Sequence, residues 1–333
     1  MGSVHLRHPR LGAREQAGGG AEGGGVSVDE DSGTHNAAWA SHLSAGPADE
    51  AGQQLRFAIR GNSNPHLFST APALSSTGVL SFTPTPNGNG SANVEVELVD
   101  DGGTANGGAE ASGPFSLTIT VRPVDDAPTI AVGRALECGG RSGTLRLLVA
   151  DIDDERSTLE LSGSVSGGRA GIAFGSAGSD RTLTITGRKR PTRATVTIAV
   201  SDGRLTSSIP IGLVVGDSRG QRISGGEGPD LLLGLGGRDT LAAAGGNDLV
   251  CGGSGSDLIY GGDGDDVMLG GAGKDVLRGG LGHDVLRGGI GNDRLFGGAG
   301  DDILRGGPGA DLFAAAPGAD TLVDFSTRRG DRR

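Results

Sequence analysis

Apolar and polar residues alternate with a period of two through the first two thirds of the chain. Alternation of this kind is typical of half-buried strands, and the breaks between the alternating segments contain Gly, Asn and Pro, which favour turns. We therefore predict two antiparallel β-sandwiches, over residues 25–128 and 129–216. The alternating apolar positions are Leu55, Phe57 and Ile59; Val94, Val96 and Leu98; Phe115, Leu117, Ile119 and Val121; Leu145, Leu147 and Val149; Leu159 and Leu161; Leu183 and Ile185; and Val196, Ile198 and Val200.

From about residue 217 the period changes from two to nine. Asp occurs at eleven positions spaced nine residues apart, an apolar residue follows two positions later, and glycines precede each Asp. The unit reads G-G-x-G-x-D-x-U-x, where U is apolar. The Asp positions are 230, 239, 248, 257, 266, 275, 284, 293, 302, 311 and 320, and the apolar positions are 232, 241, 250, 259, 268, 277, 286, 295, 304, 313 and 322.

Each nine-residue unit is long enough for one short strand and one tight turn. The residues around U can form a strand, and the glycines allow the chain to reverse. Two units then make one turn of a parallel two-sheet roll, whose thin core consists of the U side chains and forms only when turns stack. Stacking brings Asp residues 18 positions apart close together, so their like charges need a cation. Calcium fits best, because it prefers carboxylate and carbonyl oxygens.

The repeat closely resembles that of the RTX (repeats-in-toxin) family, whose units form a calcium-binding parallel β-roll. The resemblance implies a fold class that is all-β throughout, with the roll at residues 217–325. It also implies that the Asp side chains and the carbonyls of the second glycines are calcium ligands. The implied ligands are Asp230, Asp239, Asp248, Asp257, Asp266, Asp275, Asp284, Asp293, Asp302 and Asp311, with Gly253, Gly262, Gly271, Gly280, Gly289 and Gly298. Three units depart from this pattern, and there we expect incomplete occupancy. Leu235 replaces a second glycine, Ala243-Ala244 replace the glycine pair before Asp248, and Ala315-Ala316-Pro317 precede Asp320.

The segment 26–128 resembles the cadherin-like, Ig-like tandem domains of bacterial surface and secreted proteins. The resemblance rests on Gly78-Val79-Leu80-Ser81-Phe82-Thr83-Pro84, on Val99-Asp100-Asp101-Gly102-Gly103, and on the closing Val124-Asp125-Asp126-Ala127-Pro128. It implies a second calcium site at the junction of the two sandwiches. The implied ligands are Glu30, Asp125, Asp126, Asp151 and Asp153. The alternative is that these acids only form turns and the linker.

The net charge and the composition limit which classes of binding partner the chain is expected to have. The chain has 333 residues and a net charge of -11, and residues 225–325 alone have 16 acidic and 6 basic residues. An anionic surface argues against nucleic acid and favours a cation. We expect residues 1–24 to be disordered and 326–333 to form an Arg-rich tail that includes Arg329-Gly330-Asp331. Cys138 and Cys251 lie far apart in dissimilar segments, so we expect two buried thiols and no disulfide.

No catalytic motif is evident. Neither an H-E-x-x-H helix nor a G-x-S-x-G elbow in a strand-to-helix setting occurs, and no apolar run is long enough for a transmembrane segment. We predict a non-enzymatic, extracellular, secreted calcium-binding protein, without a cleaved N-terminal signal peptide. The sandwiches would be spacers, or adhesion modules for a cell-surface ligand. The alternative is a fragment of a larger RTX enzyme, toxin or adhesin whose active part lies outside this chain.

Overall fold

The computed structural model confirms the all-β class. It describes residues 10–13, 25–44, 54–101, 114–133, 137–153, 158–177, 180–188, 191–314 and 316–333. Its only helices within these ranges are two 3-10 turns, Pro65–Leu67 and Thr327–Arg329. None of the helices in this described part is long and apolar enough to cross a membrane. The chain divides into two compact units, Met1–Asp125 and Asp126–Arg333.

The first unit is a sandwich of a four-stranded and a three-stranded sheet. The sheets have the orders β2-β9-β8-β5 and β3-β7-β6, and β1 pairs with β4. The predicted alternation is seen in β8 and β9, whose inward residues Val94, Val96 and Leu117 pack against Leu80 and Phe82. The strands are β1 Arg10–Ala13, β2 Val26–Asp29, β3 His35–Ala38, β4 Ala40–Ser44, β5 Arg56–Asn62, β6 Phe68–Leu74, β7 Val79–Pro84, β8 Gly90–Val99 and β9 Phe115–Arg122.

The predicted disorder of residues 1–24 falls mostly outside the described residues. Within that segment only Arg10–Ala13 are described, and they form strand β1, which pairs antiparallel with β4.

The second unit begins with the second sandwich. One of its sheets has the order β10-β12-β15-β14, with β11 also paired to β12, and the other contains β13, β16 and β17. Leu145, Leu183, Ile185, Val196 and Ile198 all lie in its core, as their alternation predicted. The strands are β10 Thr129–Val132, β11 Glu137–Gly139, β12 Ser142–Ala150, β13 Glu160–Ser166, β14 Ala170–Ala177, β15 Asp180–Gly187, β16 Thr192–Ser201 and β17 Thr206–Val215.

The repeat forms a parallel roll. Alternate strands stack with a register of 18 residues into two sheets, one of even-numbered strands from β18 to β28 and one of odd-numbered strands from β19 to β29. Between them lie the apolar U residues, from Leu232 to Phe313, almost all inaccessible to solvent. The strands are β18 Arg222–Ser224, β19 Asp230–Gly236, β20 Thr240–Gly245, β21 Leu249–Ser254, β22 Leu258–Asp263, β23 Val267–Ala272, β24 Val276–Leu281, β25 Val285–Ile290, β26 Arg294–Ala299, β27 Ile303–Arg305, β28 Leu312–Ala314 and β29 Thr321–Leu322.

One sheet runs from the second sandwich into the roll. Strand β17 pairs in parallel with β19, so that Gly212 lies beside Asp230 and Val214 beside Leu232. Val214 also packs against the roll core, in the place of a U residue. The predicted boundary at residue 216 therefore lies inside a continuous hydrogen-bonded sheet, in which a sandwich strand serves as the first turn of the roll.

The other sheet of the sandwich covers the outer face of the first roll strands. The Cα of Gly143 in β12 lies so close to Leu231 and Leu249 that a Cβ there would overlap their methyl groups. Leu231, Leu249 and Val267 accordingly belong to the sandwich core. Sandwich and roll thus share a hydrophobic core in three layers.

The expectation of two separate thiols was wrong. Cys138 in β11 and Cys251 in β21 form a disulfide, with their Cα atoms 6.7 Å apart, a separation found in disulfides. The two cysteines are 113 positions apart in sequence, so their proximity depends on the packing of β11 and β12 over the roll. The bond fastens the covering sheet to the third strand of the nine-residue repeat.

Replacing both Cys138 and Cys251 with Ala should lower the free energy of unfolding in calcium by about 2–4 kcal/mol, because the disulfide closes a long loop and so restricts the unfolded chain. Urea unfolding of the full chain measures the change. Wild-type protein kept in reductant is the control and should behave like the double variant. Equal stability of the oxidised wild type and the variant would contradict the role given to the bond.

Candidate metal centre

The repeat Asp residues form two columns, one along each edge of the roll. One column comprises Asp230, Asp248, Asp266, Asp284, Asp302 and Asp320, and the other Asp239, Asp257, Asp275, Asp293 and Asp311. From Asp230 to Asp302, each backbone N–H donates a hydrogen bond of 2.8–3.1 Å to Oδ1 of the Asp 18 residues later in its column. These bonds fix one carboxylate oxygen of each side chain and align the columns.

In most of the column residues the second carboxylate oxygen has no hydrogen-bond donor in the described part of the chain. In nine of these Asp residues Oδ2 is buried and accepts no hydrogen bond within the described part of the chain, and the residues are 1–2% exposed. A buried, unpaired carboxylate oxygen is costly unless a cation or donor meets it. The nine are Asp239, Asp248, Asp257, Asp266, Asp275, Asp284, Asp293, Asp302 and Asp311.

Burial and mutual repulsion raise the pKa values of these carboxyls. Burial raises the pKa of Asp248 and Asp266 to about 8, with the neighbouring Asp of the same column adding to the rise. The same causes raise the pKa of Asp275 and Asp284 to about 7. The hydrogen bonds to Oδ1 act in the opposite direction but do not compensate. Near neutral pH these carboxyls therefore resist ionisation, and a bound cation would stabilise their charged form.

Backbone carbonyls line the same loops. The carbonyl oxygens of Gly253 and Gly271 face the Cα atoms of Gly271 and Gly289, respectively, in the next turn on the same edge. Gly262, Gly280 and the loops that follow repeat this arrangement. A second row, of the fourth-position glycines such as Gly255, faces the next turn in the same way. Sequence reasoning missed this second row, although the constant glycine at that position was its signal.

The first glycine of each unit allows the Asp to approach the backbone closely. A Cβ on Gly270 would lie 2.6 Å from Oδ2 of Asp275 and 2.5 Å from the carbonyl oxygen of Gly288, closer than real Cβ atoms come. A side chain there would displace the carboxylate. The first glycine of each unit is thus needed to bring the carboxylate and carbonyl oxygens together, as the other glycines are needed for the turn.

The donor set fits a hard cation. No group of three or more His, Cys, Asp or Glu side chains converges on one point in the described ranges, so few side chains could contact any one ion. Stacked turns instead offer carboxylate and carbonyl oxygens, the ligands of calcium. Softer metals would need His or Cys, which the column positions lack.

The units that depart from the glycine pattern differ in structure. Leu235 and Ala244 occupy second-glycine positions with φ values of 78° and 88°, a left-handed conformation that costs about 1–2 kcal/mol for a residue with a Cβ. Asp230 also differs, because its Oδ2 accepts a hydrogen bond from the N–H of Gly226. These loops keep the chain path of the repeat at a conformational cost.

Two column members were not predicted. Asp331 is buried, and its Oδ1 accepts the N–H of Asp311 at 3.1 Å, so the residues expected to be an Arg-rich tail complete a column. At the other end, the N–H of Gln221 donates to Oδ1 of Asp239 at 2.8 Å. Gln221 lies nine residues before Asp230, which was a usable signal, whereas the spacing of 20 between Asp311 and Asp331 breaks the period.

The predicted sandwich-junction acids are divided between the two units. Within the first, Glu30 is buried and its Oε1 accepts the N–H of Val124 at 2.8 Å. Within the second, the N–H of Asp126 donates to Asp153, and the N–H of Asp153 to Asp151. Calcium binding by these residues and Asp125 stays a prediction.

The architecture is a parallel β-solenoid with an acidic residue buried in each loop from Asp230 to Asp311. A family model described as RTX calcium-binding nonapeptide repeat matches residues 215–250, 252–286 and 287–322. This part of the chain therefore consists of RTX repeats, the calcium-binding family that the nine-residue period indicated.

The chain as a whole has distant structural similarity to known proteins. No curated protein matches the chain in sequence. It is similar to the human desmocollin-1 ectodomain at 13% identity and a TM-score of 0.29, covering 66% of this chain and 46% of that one. It is also similar to titin domains z1z2 in complex with telethonin, at 13% identity and a TM-score of 0.27, covering 65% and 100%. The chain thus spans less than half of the desmocollin chain.

Acid should weaken calcium binding. The carboxyls must lose protons to bind the ion, so the calcium concentration for half-maximal response should rise on the order of tenfold from pH 8 to pH 6.

Without calcium, acid should have the opposite effect and stabilise the folded roll. Folded-state pKa values above the unfolded value of about 3.9 make the cation-free roll lose stability as pH rises through about 6–8. Circular dichroism of the full chain across this range measures both, and a pH-independent midpoint would refute the role of these carboxyls.

Gly270→Ala should raise the calcium requirement, because the added methyl group displaces Asp275 and costs about 1–3 kcal/mol. Gly228→Ala is the matched control, since a Cβ there meets no atom within 4 Å. Calcium titration of both variants by circular dichroism makes the comparison. Equal shifts would show that overcrowding of the carboxylate is not the cause.

Proposed function

We propose that this chain is an extracellular, non-enzymatic calcium-binding protein whose RTX repeats fold into the roll when they bind calcium. The observation that carries the proposal is the set of nine buried carboxylate oxygens without a donor, aligned in two columns. Asp239 to Asp311 would supply the carboxylates, and Gly253, Gly262, Gly271, Gly280, Gly289 and Gly298 the carbonyls. Calcium bound there would supply the positive charge that the columns lack.

The energetics of the repeat support folding that depends on calcium. Its core is one layer of U residues, and its glycines lose more backbone entropy on folding than other residues do. The excess of ten negative charges in residues 225–325 opposes compaction further. Extracellular calcium modules bind in the range of about 10⁻⁴ to 10⁻³ M, so cytosolic calcium would leave the roll unfolded and external calcium would fold it.

The disulfide supports the extracellular location. Cys138 and Cys251 bond across the covering sheet and the roll, and disulfides form and persist in oxidising compartments. The second sandwich then serves as a fixed base on which the roll assembles. Its strand β17 forms hydrogen bonds with β19. This preformed strand lowers the free-energy cost of forming the first turn of the roll. The first sandwich would be a spacer or an adhesion module.

The test is a calcium titration of the full chain, with magnesium as the metal control. The full chain is required because a fragment starting at residue 222 would lack β17 and Cys138. We expect calcium, and not magnesium, to add β signal in circular dichroism, and we expect Asp275→Ala with Asp293→Ala to raise the midpoint at least several-fold. Each change removes a carboxylate that accepts a backbone N–H within its column, and so leaves that N–H without its acceptor.

Glu227→Ala with Asp263→Ala is the matched control, because it removes the same charge from exposed positions outside the columns. This variant should titrate close to wild type. The proposal fails if the two double variants shift equally, or if the repeat shows full β signal and full hydrogen-exchange protection in chelator.

A further inference from the structure

An outward-facing column of side chains on the odd-numbered roll sheet changes character along its length. Paired strands place Leu233, Cys251, Leu269, Arg287 and Arg305 in register, one above the other. The first two lie in the core shared with the second sandwich, whereas Arg287 and Arg305 are exposed. The column therefore changes from apolar to cationic beyond the covering sheet.

The two arginines have no acidic partner among the described residues. Neither forms a salt bridge there, and the neighbouring outward positions are apolar, namely Val285 and Ile303. Because neighbouring strands are about 4.8 Å apart, the two positive charges repel each other. This repulsion occurs on a repeat that is otherwise strongly acidic. An external anion is the group that would offset it.

A groove runs beside these arginines. Its volume is about 430 Å³, within the range of small-ligand sites. Besides Arg287 and Arg305, its lining consists of Leu269, Pro308, Gly271, Gly289, Gly307, Asp324 and Arg329. The lining thus combines small and apolar groups with three cations and one acid.

The acid in the groove is already engaged. Oδ1 and Oδ2 of Asp324 accept the N–H groups of Gly306 and Gly307 at 2.9 and 3.0 Å. Arg329 donates to the carbonyl oxygen of Asp324 and lies 3.7 Å from the buried Asp331. Asp324 and Asp331 therefore hold Arg329 in place, and Arg287 and Arg305 are left to meet a ligand.

We propose that this groove binds an acidic polysaccharide through sugar units that bear an oxyanion. Guanidinium groups bind planar carboxylates and tetrahedral sulfates through paired N–H donors, and two arginines in series suit a chain with regularly repeated charges. The apolar Leu269 and Pro308 and the small glycines of the lining suit the C–H face of a sugar ring. Stacked turns form the groove, so this inference rests on the proposed calcium-dependent fold.

Calorimetry of the full chain in saturating calcium tests the proposal. The probes are a hyaluronan tetrasaccharide, which bears carboxylates only, a chondroitin sulfate tetrasaccharide, which bears carboxylates and sulfates, and neutral cellotetraose. Either anionic tetrasaccharide should bind, and cellotetraose should not. Equal affinity for the two identifies the carboxylate as the bound oxyanion, and tighter binding of chondroitin sulfate identifies the sulfate. Arg287→Gln with Arg305→Gln should weaken binding by on the order of tenfold or more, since two charge-assisted contacts are lost.

Arg278→Gln with Arg294→Gln is the matched control, because these arginines lie on the opposite sheet against Phe296, and it should bind as wild type does. The proposal is overturned if neither anionic tetrasaccharide binds, or if both double variants lose affinity equally. It is also overturned if tetra-aspartate or inorganic sulfate binds as tightly as the saccharide. Circular dichroism of the same samples reports folding separately, so a folded roll without saccharide binding refutes the groove alone.

Discussion

Stacking an acidic side chain every 18 residues along each edge of a thin roll is the constraint on which the second unit depends. The register that buries the U residues also buries the carboxylates, because both lie in the same nine-residue unit. A shift of one residue would turn the U side chains outward. The roll therefore cannot form its core without concentrating negative charge, and the core and the need for a cation are two results of one geometry.

Both ends of the roll are closed by residues that do not follow the repeat. At the start, strand β17 of the second sandwich pairs with β19, and Val214 occupies the place of a U residue. At the end, Asp331 accepts the N–H of Asp311, and Phe325 packs edge-on against Phe313. Exposed strand edges invite unwanted pairing, and solenoids need capping elements at their ends. The sandwich thus serves the roll as its cap, whatever else its surface binds.

The period of nine was sufficient to predict the roll, its inward residues and its two acidic columns, because each of these repeats locally. The alternation of Leu145, Leu147 and Val149 likewise predicted a strand and its buried face. What lies between elements could not be predicted in this way. The bond between Cys138 and Cys251 depends on which sheet covers which, and the role of Asp331 depends on a loop that breaks the period. Neither leaves a local pattern, since both arise from long-range packing.

The outward column from Leu233 to Arg305 shows how one repeat can satisfy two environments. Outward positions take no part in the U core, so the repeat leaves their side chains free to vary. Beneath the covering sheet apolar residues at these positions extend the shared core, and one of them is the cysteine that fastens the two layers. Beyond the cover the same positions face solvent, where apolar residues would form an adhesive strip on a parallel sheet. Arginine at these positions avoids an exposed apolar surface. The same stacking that aligns the U residues also aligns the arginine charges. The register that concentrates negative charge in the loops thus concentrates positive charge on one face, and the separation of the two signs gives the roll a surface that differs in chemistry from its calcium-binding edges.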